Sequence, residues 1–224
     1  MEFKTFLLIT ILAIIGAAAP TGTVQPGACT TITPNAMQSL LSTDPTNGYT
    51  NRELNGPGVN GFSIFQDNTK ANHRYQLLQF VDFEVPSNSY GCQLHVTDAG
   101  NSVGYSKFYA GEISPNPGMA RITVKSLVPN ALPIFPSYND VQTMNPSLIS
   151  ANKFGTFSIA SGAQPIVINS QACPPAMIDG HNGHLQFVFE LEDNDLSTTR
   201  HFSMTQRSAS AGGGLNGVYM TFNC

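Results

Sequence analysis

Two stretches of this 224-residue chain each gather several side chains able to bind a metal. Asp179-Gly180-His181-Asn182-Gly183-His184 sets a carboxylate and two imidazoles in one polar loop ahead of a strand, and neutral imidazoles beside a carboxylate suit a divalent metal. The spacing matches no known ligand signature, and Gly and Asn are equally what a surface turn uses. Glu190, Glu192, Asp193 and Asp195 form the one acidic concentration. Asp193 and Asp195 offer the oxygen ligands that Ca²⁺ takes, and calcium is the one cofactor the sequence suggests; Asp193-Asn194-Asp195 is also ordinary hairpin-tip chemistry.

Glycoside hydrolysis needs two carboxylates converging about 5 to 9 Å apart. Asp82 and Glu84 share a strand face and would approach Glu190 if their strands pair, although solvent-facing strand carboxylates are the plainer reading. Gly212-Gly213-Gly214-Leu215-Asn216-Gly217 has the dinucleotide-loop pattern, yet the chain ends seven residues later and no helix can follow it. Neither Gly-x-Ser-x-Gly nor His-Glu-x-x-His occurs. For sugar stacking there is no tryptophan, which leaves tyrosines to serve; Tyr105, Phe108 and Tyr109, among polar neighbours, read as the most exposed aromatic cluster.

These residues must be positioned by strands. Leu185, Phe187, Phe189 and Leu191 alternate with Gln186, Glu190 and Glu192, so 184–192 reads as a half-buried strand. Phe202 and Met204 repeat the pattern, as do Val218, Met220 and Phe222 before the terminal Cys224. Upstream, 61–66, 75–85, 92–97, 120–128, 153–160 and 165–169 are further short strands. Turn residues 87–91 make 75–97 look like one hairpin. Residues 19–60 read as an irregular lead with a single helical turn at 36–41. Eight or nine short strands without a useful amphipathic helix predict an all-β fold, a single antiparallel β-sandwich of jelly-roll type over 61–224, stabilised by disulfides.

Lys4, the apolar run from Phe6 to Ile15 and the small residues Gly16 to Ala19 read as a secretory signal, 1–18, cut after Ala18. The run is shorter than the ~20 residues a membrane span requires. Four cysteines at 29, 92, 173 and 224 suit two disulfides in an oxidising compartment, with three pairings possible. Charged residues make up 11% of the chain, its net charge is -4, and no basic cluster is present, which argues against nucleic acid or anionic membranes as partners.

The succession Phe80-Val81-Asp82-Phe83-Glu84-Val85-Pro86, Gly91-Cys92-Gln93-Leu94, Phe154-Gly155-Thr156-Phe157, Ala172-Cys173-Pro174-Pro175, Leu185 to Leu191 and Gly217 to Phe222 resembles a family of fungal secreted and cell-surface domains. That family is the ubiquitin-3-binding-protein But-two C-terminal domain, and the similarity runs over 62–224. The resemblance implies a β-sandwich in which Cys92 pairs with Cys173, leaving Cys29 to pair with Cys224 and tie the termini together. It supplies no catalytic residue, and a secreted chain would not meet the intracellular partner to which the family name refers. The expectation is a monomeric, non-enzymatic protein of the fungal cell wall or surface, with a wall glycan or a surface protein as partner. The alternative is a carbohydrate-binding module or a carbohydrate-active enzyme, glycosidase or lyase.

Overall fold

The computed structural model describes residues 29–51, 59–69, 75–109, 111–128, 136–142, 149, 153–175, 181–192 and 197–224. The signal segment, Asp179, Asp193 and Asp195 lie outside them. The strands are β1 (Thr30–Ile32), β2 (Ala36–Leu41), β3 (Gly48–Thr50), β4 (Val59–Asp67), β5 (Tyr75–Val85), β6 (Cys92–Thr97), β7 (Gly104–Tyr109), β8 (Glu112–Ile113), β9 (Arg121–Ser126), β10 (Gly155–Ser158), β11 (Ile166–Gln171), β12 (Gly183–Leu191), β13 (Thr198–Arg207) and β14 (Gly217–Phe222). One short helix, α1 (Tyr138–Gln142), precedes β10.

All the pairings are antiparallel, and they form two sheets. The smaller sheet runs β1-β14-β6-β11, and the larger runs β10-β9-β12-β5-β4-β13-β7-β8, with β2 on the other edge of β5 and β3 beyond β2. β5 is the hinge of the larger sheet. Its residues 79–85 pair with β12, whereas 75–77 pair with β4 along the same edge, so β4 leaves the plane where β12 enters. The sheet therefore turns over on itself, and Phe62 of β4 meets Phe189 of β12 edge to face at 5.2 Å.

Gln79 occupies the corner. Its side-chain NH2 donates to the carbonyls of Gln38 and Phe80, while its oxygen accepts from Asn51 Nδ2 and the Ser63 amide. A fully buried glutamine is tolerated here because it pairs backbone groups that the diverging strands leave without ladder partners. Gln206 does the same between the two sheets, donating to the Val218 carbonyl and accepting from the Val218 amide. The neighbouring Gly217 has φ 94° and no room for a Cβ against Gln206, so only glycine fits.

The main core lies inside the fold. It joins Phe62, Ile64, Val81, Phe83, Phe187, Phe189 and Phe202 to Leu94, Val96, Met220 and Phe222 of the smaller sheet. A second cluster on the opposite face of β2, β5 and β12, with Leu40, Leu78, Phe80 and Val188, is covered by Val141 and Tyr138 of α1. That helix starts where Ser137 and Asp140 bond reciprocally, each side chain to the other's amide.

Asp98 pins the loops at one end. Its buried carboxylate accepts from the amides of Ser102, Val103 and Gly162, from the Ser102 hydroxyl and from Asn216 Nδ2. Burial pushes its pKa up, but the hydrogen bonds from Ser102, Val103 and Gly162 outweigh that and hold it below the usual carboxylate value. The disulfides join Cys92 to Cys173 and Cys29 to Cys224, the pairing that the resemblance implies.

Three local expectations change. Ala36–Leu41 is strand β2, not a helical turn, because pairing along the whole of Leu77–Asp82 outweighs local helix propensity. With β1 and β3, it makes 29–51 part of the sandwich rather than an irregular lead. β5 and β6 do not form a hairpin: β5 belongs to the larger sheet and β6 to the smaller, so residues 86–91 cross between layers.

Candidate functional site

Strand alternation separates the aromatic cluster expected at 105–109. Tyr105 lies opposite Phe202 and packs against the main core, Tyr109 sits at the strand end with 62% of its surface exposed, and Phe108 points to the outward face. The three do not form one platform, and Phe108 lines a cavity.

That cavity, about 550 Å³, is lined by Phe65, Thr69, Phe108, Gly111 and Thr199. A second of about 330 Å³, lined by Leu41, Thr43, Phe65, Asp67, Tyr75, Gln76 and Leu77, shares Phe65 with it. Together they make a groove across the outward side of β5, β4, β13 and β7, running through the corner of the sheet. Register sets its floor: Phe65 faces Leu77 on one side and His201 on the other, and Thr199 faces both Asp67 and Phe108.

The polar groups along the groove are held in place. Asp67 Oδ1 accepts from the Thr69 amide at 3.0 Å, the Thr69 hydroxyl at 2.7 Å and the Thr199 hydroxyl at 3.0 Å. Gln76 accepts from the Tyr138 hydroxyl at 2.9 Å. The His201 ring lies 6.4 Å from that of Phe65 and shares a hydrogen bond with Ser63 Oγ at 2.9 Å; burial pulls its pKa below the ordinary histidine value. An apolar, partly aromatic floor edged by a carboxylate, hydroxyls and an amide offers stacking surface and directed hydrogen bonds together.

The other predicted groups lie elsewhere. His184 is opposite Glu84 in register, and its Nδ1 bonds both oxygens of Asp82 at 3.0 and 3.1 Å, with Asp82 fully buried. His181 is exposed beside Asn182. Glu190 does not approach Asp82: it stands four residues beyond Gln186, the partner of Asp82, which is about 13 Å along the strand. Lys125 pairs with Glu190, and Arg121 and Lys153 both pair with Glu192, so these two carboxylates are matched by cations. Among the described residues no group of three or more His, Cys, Asp and Glu is gathered closely enough to hold a metal.

Sequence reasoning passed over Phe65, Asp67, Leu77 and Thr199. One signal was present: with Phe62 and Ile64 facing inward, Phe65 is an aromatic at a solvent-side position of the strand. No family model matches the chain, and no curated protein matches it in sequence.

Proposed function

We propose that this protein is a secreted, non-catalytic recognition module of the fungal cell surface, related to the But-two C-terminal domain family, and that it binds a wall or surface glycan along the Phe65 groove. The observation that carries this reading is the groove itself. Tyr75, Phe65 and Phe108 give ring surface on which the apolar face of a sugar can lie, while Asp67, Thr199 and Gln76 stand where its hydroxyls would be. Two disulfides, a low charge content and a signal-like N-terminus agree with work outside the cell.

The catalytic alternative has less support. Asp82 is sealed against His184, and Glu190 is about 13 Å further along the sheet, beyond the spacing of a glycosidase pair. The test is a glycan array with wall-polysaccharide pull-down, run on the mature chain with and without calcium, followed by assays for hydrolysis and elimination. Selective, calcium-independent binding that falls about tenfold or more in Phe108→Ala, with no product formed, is expected. Turnover of a glycan, or binding indifferent to Phe108, would overturn the reading.

A further inference from the structure

A second cleft, of about 670 Å³, opens at one end of the sandwich and shares no lining residue with the Phe65 groove. The crossing from β1 to β2 supplies Thr33 and Asn35, the adjoining ends of β5 and β12 supply Glu84 and Asn182, and the turn after β13 supplies Ser208 and Ser210. Its polar wall is hydroxyls and amides around one carboxylate, and no cation lines it among the described residues.

Glu84 is exposed and accepts one hydrogen bond, from Asn182 Nδ2 at 2.9 Å; it pairs with no cation among the described residues. Glu190 and Glu192, further along the same sheet, differ in this respect, since Lys125, Arg121 and Lys153 meet them. His184, opposite Glu84 in register, does not compensate it. The His184 ring is turned to Asp82, with Nδ1 against both carboxylate oxygens. Arg207, next to Ser208, directs its Nη1 to the Gly213 carbonyl.

We propose that this cleft binds a protonated primary amine on a polyhydroxylated ligand, an amino-sugar unit carrying a free amine, with Glu84 as counter-ion and the hydroxyl and amide side chains meeting the sugar hydroxyls. The carboxylate without a cation asks for positive charge, and a charge-assisted hydrogen bond to it is worth about twice a neutral one. The hydroxyl and amide groups around the carboxylate favour a polyol, whose apolar ring face can lie on Ile32, Pro34, Ala209 and Leu215, whereas a lysine side chain would leave those hydroxyls and amides unused. The site stands apart from the groove, and neither reading depends on the other.

Titration calorimetry on the mature chain at about pH 6 tests it, with a glucosamine tetramer, its fully N-acetylated counterpart and a lysine-containing tetrapeptide. The expected result is binding of the free-amine tetramer, with the acetylated one weaker by about tenfold or more and the peptide weaker still. Glu84→Gln keeps the shape and the Asn182 contact and should lose about tenfold for the free-amine ligand, with an unchanged urea midpoint. No binding of the tetramer, equal affinity for the acetylated form, an unaffected Glu84→Gln or a peptide that binds as tightly would each overturn the proposal.

Discussion

Asp98 shows how one side chain can hold three connections. Its carboxylate draws together the segment after β6, the turn at Gly162 and Asn216 ahead of β14. Because its folded pKa lies below the unfolded value of about 3.9, its contribution is fully present above that pH and is lost as pH falls through the folded value. Asp98→Ala leaves several buried donors unmet and should cost about 2 to 4 kcal/mol in urea denaturation at neutral pH. Asp98→Asn should also flatten the loss of stability below about pH 4, and an unchanged acid limb would show that Asp98 is not the group responsible. His95 and His201 act in the opposite sense. Burial lowers both their pKa values, so the unfolded chain takes up their protons first, and stability should fall as pH drops below about 6.5. Replacing both with Gln should shrink that decline.

At the scale of elements, the corner between β5 and β4 decides both the fold and the groove. Gln79→Leu removes the acceptor for Ser63 N and Asn51 and the donor to Gln38, and should destabilise by about 2 to 4 kcal/mol. Phe62→Ala empties the contact between the two halves of the sheet and should cost about 3 to 5 kcal/mol. Stability within about 0.5 kcal/mol of the parent in either variant would mean the corner is held some other way. β12, β9 and β14 were legible in the sequence because apolar core residues recur at every second position: Leu185, Phe187, Phe189 and Leu191, then Ile122 and Val124, then Val218, Met220 and Phe222. β5 was legible as a strand over 75–85, but the corner was not: that its first residues pair with β4 and the later ones with β12 is set by register, and no local pattern marks where one partner gives way to the other. β2 was missed for a related reason. Its six residues join the sheet by register with β5, which no local pattern encodes. The groove was hidden further still, because Phe65, Leu77, Thr199 and Phe108 are distant in sequence and become neighbours only through three pairings.

For the whole molecule, the two disulfides divide the work. Cys92–Cys173 spans 81 residues and fastens the start of β6 to the segment following β11; in the chain-entropy model such a bridge contributes roughly 4 to 5 kcal/mol. Cys29–Cys224 closes the ends of β1 and β14 over 195 residues. Reduction should therefore unfold the protein in two separable steps if the terminal bridge opens first, and thiol labelling followed by mass spectrometry would report the order. Among the described residues no helix is long and apolar enough to cross a membrane. The groove and the end cleft lie at separate places on this framework, which would let one module take two points of an extended chain.

Recognition at the Phe65 groove is tested most directly by amide chemical-shift mapping of the labelled mature chain during titration with a glycan selected from the array. Saturable shifts concentrated at Phe65, Asp67, Tyr75, Thr199 and Phe108 are expected, with the core strand β14 unmoved. Shifts confined to other surfaces, or none at saturating ligand, would contradict it.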